Sequence, residues 1–440
     1  MKPVFRFLLS RSARWALLSA LVVLSFVGCQ TESSAPPSDD EGADPSVLVR
    51  AESLTTLSPA ALKEGTPQSF SDLKPLIAHP VDVYRIVYRT PNLTTGATET
   101  VSGALFVPRV DGPLPTVSYQ HGTIYPFEGD TKAPSNHSRE SGEVLLCRLL
   151  ASQGYAVIAP DYIGYGVSRD VDHPYYLLES QTTTTWNGLR AFSELADTTD
   201  VALDNRLVLT GYSQGGTVSM ALHRRMQAEG GTSFDLTSSV TGGGAYHLPR
   251  FMEIVMAKDR LEVAQSDAGE QVMNVYLWVL DTYLDFYDTL DRSWGDVVVS
   301  PYAAQLDTAQ NVFNVDLPAA PSSVFRDEFV EGLQSRRDSS MLRVFENNSN
   351  FEWRPKAPVR MVHGTADNIV PFANAQATLE AMRKQGADTV ALVPVENAGH
   401  GDAFGRYLEV LVDALPKEKG SRPGASASPS SSSVSASDSP

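Results

Sequence analysis

LVLTGYSQGGTVS, residues 207–219, decides how the rest of the chain is read. Leu207-Val-Leu-Thr210 is short and apolar, as a buried strand is. It runs into Gly211-Tyr-Ser-Gln-Gly215, and from Thr217 to Ala228 the spacing is helical. Strand, Gly-x-Ser-x-Gly, helix is the signature of a nucleophile elbow, in which a strained turn projects the serine hydroxyl above the sheet edge. Strand and helix must approach closely on either side of that turn. Glycine at 211 and 215 leaves the space. The helix N-terminus behind Ser213 offers backbone N–H groups and a dipole that favour a developing anion.

A serine hydroxyl is a weak nucleophile at neutral pH and needs a base. In sheets of this kind the partners follow in the order Ser, acid, His. In the last third of the chain two histidines remain, His363 and His400. His400, in Ala398-Gly-His-Gly-Asp402, follows the expected strand Thr389–Val395, where the base belongs. Asp367, in His363-Gly-Thr-Ala-Asp367, follows the expected strand Val359–Val362 and is the candidate acid, with the role of fixing the His400 tautomer. Asp402 and Glu396 are rivals by proximity, but both flank the base itself. His363 is expected to shape the turn after its strand. A tetrahedral intermediate needs two donors. The candidates are the backbone N–H groups of Gln214, next after the serine, and of Thr123, in Tyr119-Gln-His-Gly-Thr123. His121 reads as a structural hydrogen bonder. The other histidines, 79, 137, 173, 223 and 247, show no zinc-ligand spacing, so no metal is expected.

Outward from the elbow, strands and helices alternate. Expected strands are Val81–Tyr88, Thr98–Val107, Pro115–Tyr119, Tyr155–Ala159, Arg206–Thr210 and Ser239–Gly242, then Val359–Val362 and Thr389–Val395. Expected helices are Glu140–Gln153, Gln181–Leu195, Thr217–Ala228, Ala373–Gln385 and Tyr407–Leu415. This alternation predicts an α/β fold with a mostly parallel sheet and helices on both faces. The first two strands have no helix between them and suggest an antiparallel edge. Residues 247–355 break the rhythm. There Val272, Val275, Tyr276, Val279, Tyr283, Phe286, Tyr287 and Leu290 fall at steps of three and four, one helical face. A mainly helical cap over the sheet is expected, its aromatic stripe packing on the core or lining an acyl pocket.

The formal net charge is −17 over 440 residues. Such a chain repels a phosphate backbone, so nucleic acid is not an expected partner. The first residues differ from the rest. Lys2, Arg6, Arg11 and Arg14 precede the apolar run Ala16–Val27, and Gly28-Cys29 follows. This is a signal segment, too short and wrongly flanked for a membrane span. Residues 30–46 are Ser-, Pro- and Asp-rich, a flexible tether. Residues 417–440 carry Ser, Ala and Pro without an aromatic and read as a disordered tail. The other cysteine, Cys147, lies in an apolar helical run and reads as a buried small hydrophobe.

His121-Gly122, Asp161-Tyr-Ile-Gly-Tyr-Gly166, Gly211–Gly215, His363-Gly-Thr-Ala-Asp367 and Gly399-His400 occur in that order, and over residues 80–415 the chain resembles the α/β-hydrolase superfamily. Within it the chain is most similar to secreted lipases and esterases with a cap inserted before the acid. The resemblance implies ester hydrolysis through an acyl-enzyme on Ser213 with no cofactor, a small-molecule or lipid ester as substrate, and a structural role for Asp161. Ser25-Phe-Val-Gly-Cys29 resembles a bacterial lipobox, with Phe26 where leucine is usual. That implies lipid attachment at Cys29 and a membrane-anchored, exported lipoprotein; Gln30 after the cysteine resembles outer-membrane sorting. The expected organisation is a signal segment 1–28, tether 29–46, first core part 47–246, helical insertion 247–355, second core part 356–416 and tail 417–440. Two alternatives stand beside ester hydrolysis. Prolyl oligopeptidases share the motif order, but a large propeller precedes their hydrolase domain and too few residues precede it here. A non-catalytic binding protein on the same fold would have no need of all three residues. Oligomeric state is not legible.

Overall fold

The computed structural model describes residues 46–137, 141–230, 233–258 and 271–416. The expected signal segment, Cys29, nearly all of the tether, and the tail lie outside the described residues.

The strands are β1 (Leu48–Leu57), β2 (Val81–Pro91), β3 (Thr98–Pro108), β4 (Leu114–Gln120), β5 (Ala156–Pro160), β6 (Leu203–Tyr212), β7 (Asp235–Gly242), β8 (Val359–Gly364) and β9 (Val390–Val395). The helices of the core are α1 (Pro59–Gly65), α2 (Gly142–Ser152), α3 (Leu178–Asp197) and α4 (Gln214–Glu229). Between β7 and β8 come α5 (Leu248–Met256), α6 (Val272–Phe286), α7 (Trp294–Val297), α8 (Tyr302–Leu306), α9 (Asp327–Gln334) and α10 (Ser339–Asn347). The chain then returns to the core with α11 (Phe372–Lys384) and α12 (Phe404–Ala414). The strands form one sheet in the order β1-β2-β3-β5-β4-β6-β7-β8-β9. β1, β2, β3 and β5 pair antiparallel, and β5, β4, β6, β7, β8 and β9 pair parallel. This is the α/β-hydrolase architecture expected above.

The sheet is covered on both faces, so its central strands are apolar throughout rather than alternating. In β5, Val157 and Ala159 pack on the side of α2 and α12, against Leu145, Leu149, Tyr407 and Leu411. Ile158 points the other way, toward Trp186, Leu189 and Phe192 of α3 and Leu222 of α4. Each fully buried side chain of this size stabilises the fold by about 1.5–3 kcal/mol.

Sequence pattern missed β1. Its burial is weak, as befits an edge strand with one neighbour. Tertiary contacts fix it: the Glu194 carboxylate on α3 accepts from the Val47 and Leu48 backbone N–H groups at 3.0 and 2.9 Å.

Among the described residues between β7 and β8, the β-pairing is one isolated bridge, Val298 to Phe325. The helices there share one apolar cluster with the core. Val272, Val275, Tyr276, Val279 and Tyr283 of α6 join Phe251 and Val255 of α5, and Tyr125, Tyr175, Tyr176 and Val370 come from core loops. The Tyr283 hydroxyl donates to the Tyr176 carbonyl at 2.9 Å, tying α6 to the loop before α3. No helix among the described residues is long and apolar enough to cross a membrane.

Candidate active site

β6 ends at Tyr212 and α4 begins at Gln214, so the whole turn is Ser213. Its φ is 56° and its ψ −122°. A non-glycine residue there carries strain of about 1–3 kcal/mol, held in place by its surroundings. The Ser213 N–H donates to the Gly242 carbonyl at 2.8 Å, and its own carbonyl accepts from Thr217 N–H at 3.2 Å. A Cβ on residue 215 would stand 1.9 Å from the Gln120 carbonyl oxygen, and one on residue 211 would stand 2.5 Å from the same atom. Neither position accepts a side chain, and the main obstruction is the end of β4 rather than the flanking strand and helix alone.

His400 lies in the loop between β9 and α12. Its Nε2 is 3.0 Å from Ser213 Oγ, and its Nδ1 is 2.7 Å from Asp367 Oδ2. Two contacts hold the loop. The Tyr212 hydroxyl donates to the His400 carbonyl at 2.5 Å. Gly243, at φ +54°, leaves room for the ring: a Cβ there would sit 3.1 Å from His400 Cε1.

Asp367 follows β8 and is buried. Its Oδ1 accepts from the Ile369 and Val370 N–H groups at 3.0 and 2.8 Å, leaving Oδ2 for the imidazole. Burial pushes the carboxyl pKa up. The His400 charge and hydrogen bonds from His363 and His400 outweigh it, holding the pKa well below the usual carboxylate range. Of the rivals, Asp402 accepts from Gly399 N–H at 3.1 Å within its own loop, and Glu396 is exposed.

Thr123 lines the same cavity as Ser213 and His400, and Gln214 heads the helix behind the serine. Among the described residues neither backbone N–H has a hydrogen-bond partner. The N–H of Gly122, one residue earlier, is already taken by Glu143. Among the described residues the His121 ring nitrogens bond backbone carbonyls, those of Gly122 and Asp161, at 2.6 and 3.0 Å. The buried Asp161 accepts from Ser102 Oγ on β3 and from Ser135 N–H, so it ties the segment after β5 to both.

Two supporting residues, His173 and Glu143, have no signal in the sequence. His173 is buried, and burial lowers its pKa to about 3. Its Nδ1 faces the Ile163 carbonyl at 2.7 Å and must donate, so Nε2 accepts from the Gln214 side-chain amide at 3.0 Å. Glu143 likewise meets Gly122 and Tyr119 only when separate segments come together, whereas His363 reaches Asp367 within a single turn, four residues on. A cavity of about 350 Å³ opens over Ser213. Phe251, Val275, Tyr276, Val279, Ile369 and Val370 form its apolar wall. The α6 stripe therefore both packs and lines. No group of His, Cys, Asp and Glu among the described residues is arranged to hold a metal ion.

A mostly parallel sheet with helices on both faces, and a serine on the turn from β6 into α4, defines an α/β hydrolase. Residues 132–404 match the secretory lipase family, and the chain belongs to it. It is an exported carboxylic ester hydrolase of the lipase and esterase class. Lipase 10 of Candida albicans is 23% identical over 405 residues, covering 87% of this chain and 81% of that protein. The ligand-bound rice cell wall degrading esterase LipA of Xanthomonas oryzae superposes with a TM-score of 0.69 at 25% identity, over 84% of this chain and 97% of that one. Candida antarctica lipase A gives a TM-score of 0.57 at 15% identity, over 85% of this chain and 83% of that one, a likeness of fold.

Proposed function

We propose that the chain hydrolyses carboxylic esters through an acyl-enzyme on Ser213. His400 Nδ1–H donates to Asp367, which leaves Nε2 to accept the serine proton as Oγ attacks the ester carbonyl. The carbonyl oxygen becomes an anion and takes hydrogen bonds from the Gln214 and Thr123 backbone N–H groups. As the intermediate collapses, the imidazolium returns its proton to the leaving alcohol. Water then attacks the acyl-enzyme on the same base and releases the acid and the serine. Asp367 stays charged throughout and stabilises the imidazolium. The apolar wall from the insertion receives the acyl group. The observation that carries this reading is the unbroken line Ser213 Oγ–His400–Asp367, with steps of 3.0 and 2.7 Å.

A fluorophosphonate probe tests it. One label on Ser213 is expected, lost in Ser213→Ala together with turnover of p-nitrophenyl esters, while thermal unfolding stays the same. A label on another residue, or an active Ser213→Ala, refutes the assignment. Turnover of an acyl amide faster than of the matching ester would favour the peptidase alternative.

Cys29 is proposed as a lipid attachment point that tethers the mature enzyme to a membrane. The basic start, apolar run and Ser-Phe-Val-Gly-Cys sequence support it. Cys29→Ser should move the protein from the membrane to the soluble fraction; persistent sedimentation with membrane counts against the tether.

A further inference from the structure

The cavity wall beside the Gly122–Tyr125 loop is polar, unlike the wall built by α5 and α6. Glu143, in the first turn of α2, stands there with Ser141 and Lys132. Its Oε1 accepts from the Gly122 N–H and from the Tyr119 hydroxyl, both at 2.9 Å. Both donors belong to the core, so the side chain is fixed. Among the described residues its other oxygen, Oε2, has no hydrogen-bond partner and the carboxylate has no ion pair. Lys132, the other charged group on this wall, is paired with Glu128. A carboxylate oxygen only accepts. A carboxylate on the cavity wall beside the oxyanion loop favours a ligand that donates and repels one that is negative.

We propose that Glu143 is a specificity residue for the leaving alcohol. It selects esters whose alcohol keeps a free hydroxyl, as in partial esters of glycerol or a sugar, and it rejects esters whose alcohol carries an anionic group. The inference rests on Ser213 as nucleophile. The acyl group occupies the apolar wall, so the alcohol is left facing Glu143.

The test compares kcat/KM for three butyrate esters: ethyl butyrate, glycerol monobutyrate and the butyrate ester of glycolate. Ratios within one protein cancel any general loss from disturbing the Gly122 loop. Wild type should prefer the glycerol ester over the ethyl ester by about tenfold or more, the worth of one hydrogen bond to a charged group. Glu143→Leu should lose that preference. Glu143→Gln keeps an oxygen for Gly122 and Tyr119 but removes the charge. Its glycolate-to-ethyl ratio should rise about tenfold, as expected when a nearby like charge is removed. An unchanged glycolate-to-ethyl ratio in Glu143→Gln overturns the proposal, whether or not the leucine variant folds. If wild type turns over none of the esters and Ser213 takes no fluorophosphonate, the catalytic reading itself has failed. Turnover with ratios equal in all variants removes the subsite alone.

Discussion

His363 and His400 meet on one atom: Asp367 Oδ2 lies 3.2 Å from Nε2 of the first and 2.7 Å from Nδ1 of the second. His363 is fully buried, and the same Nε2 is 2.7 Å from the Val370 carbonyl, which can only accept. Nε2 therefore carries the proton and donates to both oxygens. One imidazole closes the turn after β8 and steadies the acid that faces the other.

His363→Leu should therefore cost about 1.5–3 kcal/mol of folding stability at pH 7, the worth of a hydrogen bond to a charged group. The pH dependence has a definite sign. A carboxyl held below its unfolded pKa adds stability above that pKa and loses it as pH falls through the folded value. The gap between wild type and His363→Leu should thus narrow in acid. Urea unfolding from pH 7 down to the lowest pH at which the fold survives measures it; a gap that stays constant until the fold is lost in acid would detach His363 from Asp367.

His400→Ala should lower kcat by a factor on the order of 10⁴ or more. Asp367→Asn should approach the same loss, because an amide in place of the carboxylate favours the wrong imidazole tautomer. Asp402→Asn should stay within a few-fold of wild type, since its carboxylate accepts from Gly399 N–H and an amide oxygen can take the same bond. Steady-state kinetics on one p-nitrophenyl ester separates these. A large loss at Asp402 with a small one at Asp367 would exchange their roles.

Two glycines should respond to alanine in opposite directions. At Gly215 the new Cβ would meet Gln120 O, so the helix must leave the sheet. That should cost at least about 1–3 kcal/mol, the usual penalty of overpacking. At Gly405, in the first turn of α12, a Cβ meets nothing within 4 Å. Alanine there should stabilise by about 0.5–1 kcal/mol, by limiting the unfolded chain. Thermal unfolding of both variants reads the contrast.

Buried histidines should make the fold sensitive to mild acid. Burial lowers the pKa of His173 to about 3 and that of His223 to about 4. Both stay neutral in the fold while the unfolded chain begins to take up protons near pH 6.5. Stability is thus full above that pH and falls as pH drops toward 4. The melting temperature should decline over that range, and His223→Gln should flatten the decline. A variant with the wild-type slope would place the acid response elsewhere.

The elbow was legible because its motif is contiguous, strand, Gly-x-Ser-x-Gly and helix, although the atom that excludes a side chain at 211 and 215 is the Gln120 carbonyl oxygen of β4. Asp367 and His400 were legible because each follows a recognisable strand. Helix α4 begins at Gln214, three residues before the expected start, because Gly215 and Gly216 are poor helix formers that the sheet contact holds in place. β1 lacked signal because half its residues are exposed and its anchor, Glu194, is more than a hundred residues away. Glu143 and His173 were illegible for the same reason: each acts through a partner that only folding brings near. His363 was legible as a turn residue, but its bond to Asp367, four residues on, depends on how that turn is wound.

The apolar cluster that joins α5 and α6 to Tyr125, Tyr175, Tyr176 and Val370 makes the insertion a structural half of the chamber rather than a detachable cover. The reacting groups sit on the sheet, while much of the chamber's shape is written in helices outside it. Substitutions at Phe251, Val275 or Val279 can resize the chamber without moving Ser213. An evolving lineage could exchange one ester for another by redrawing this lining and leave its chemistry untouched.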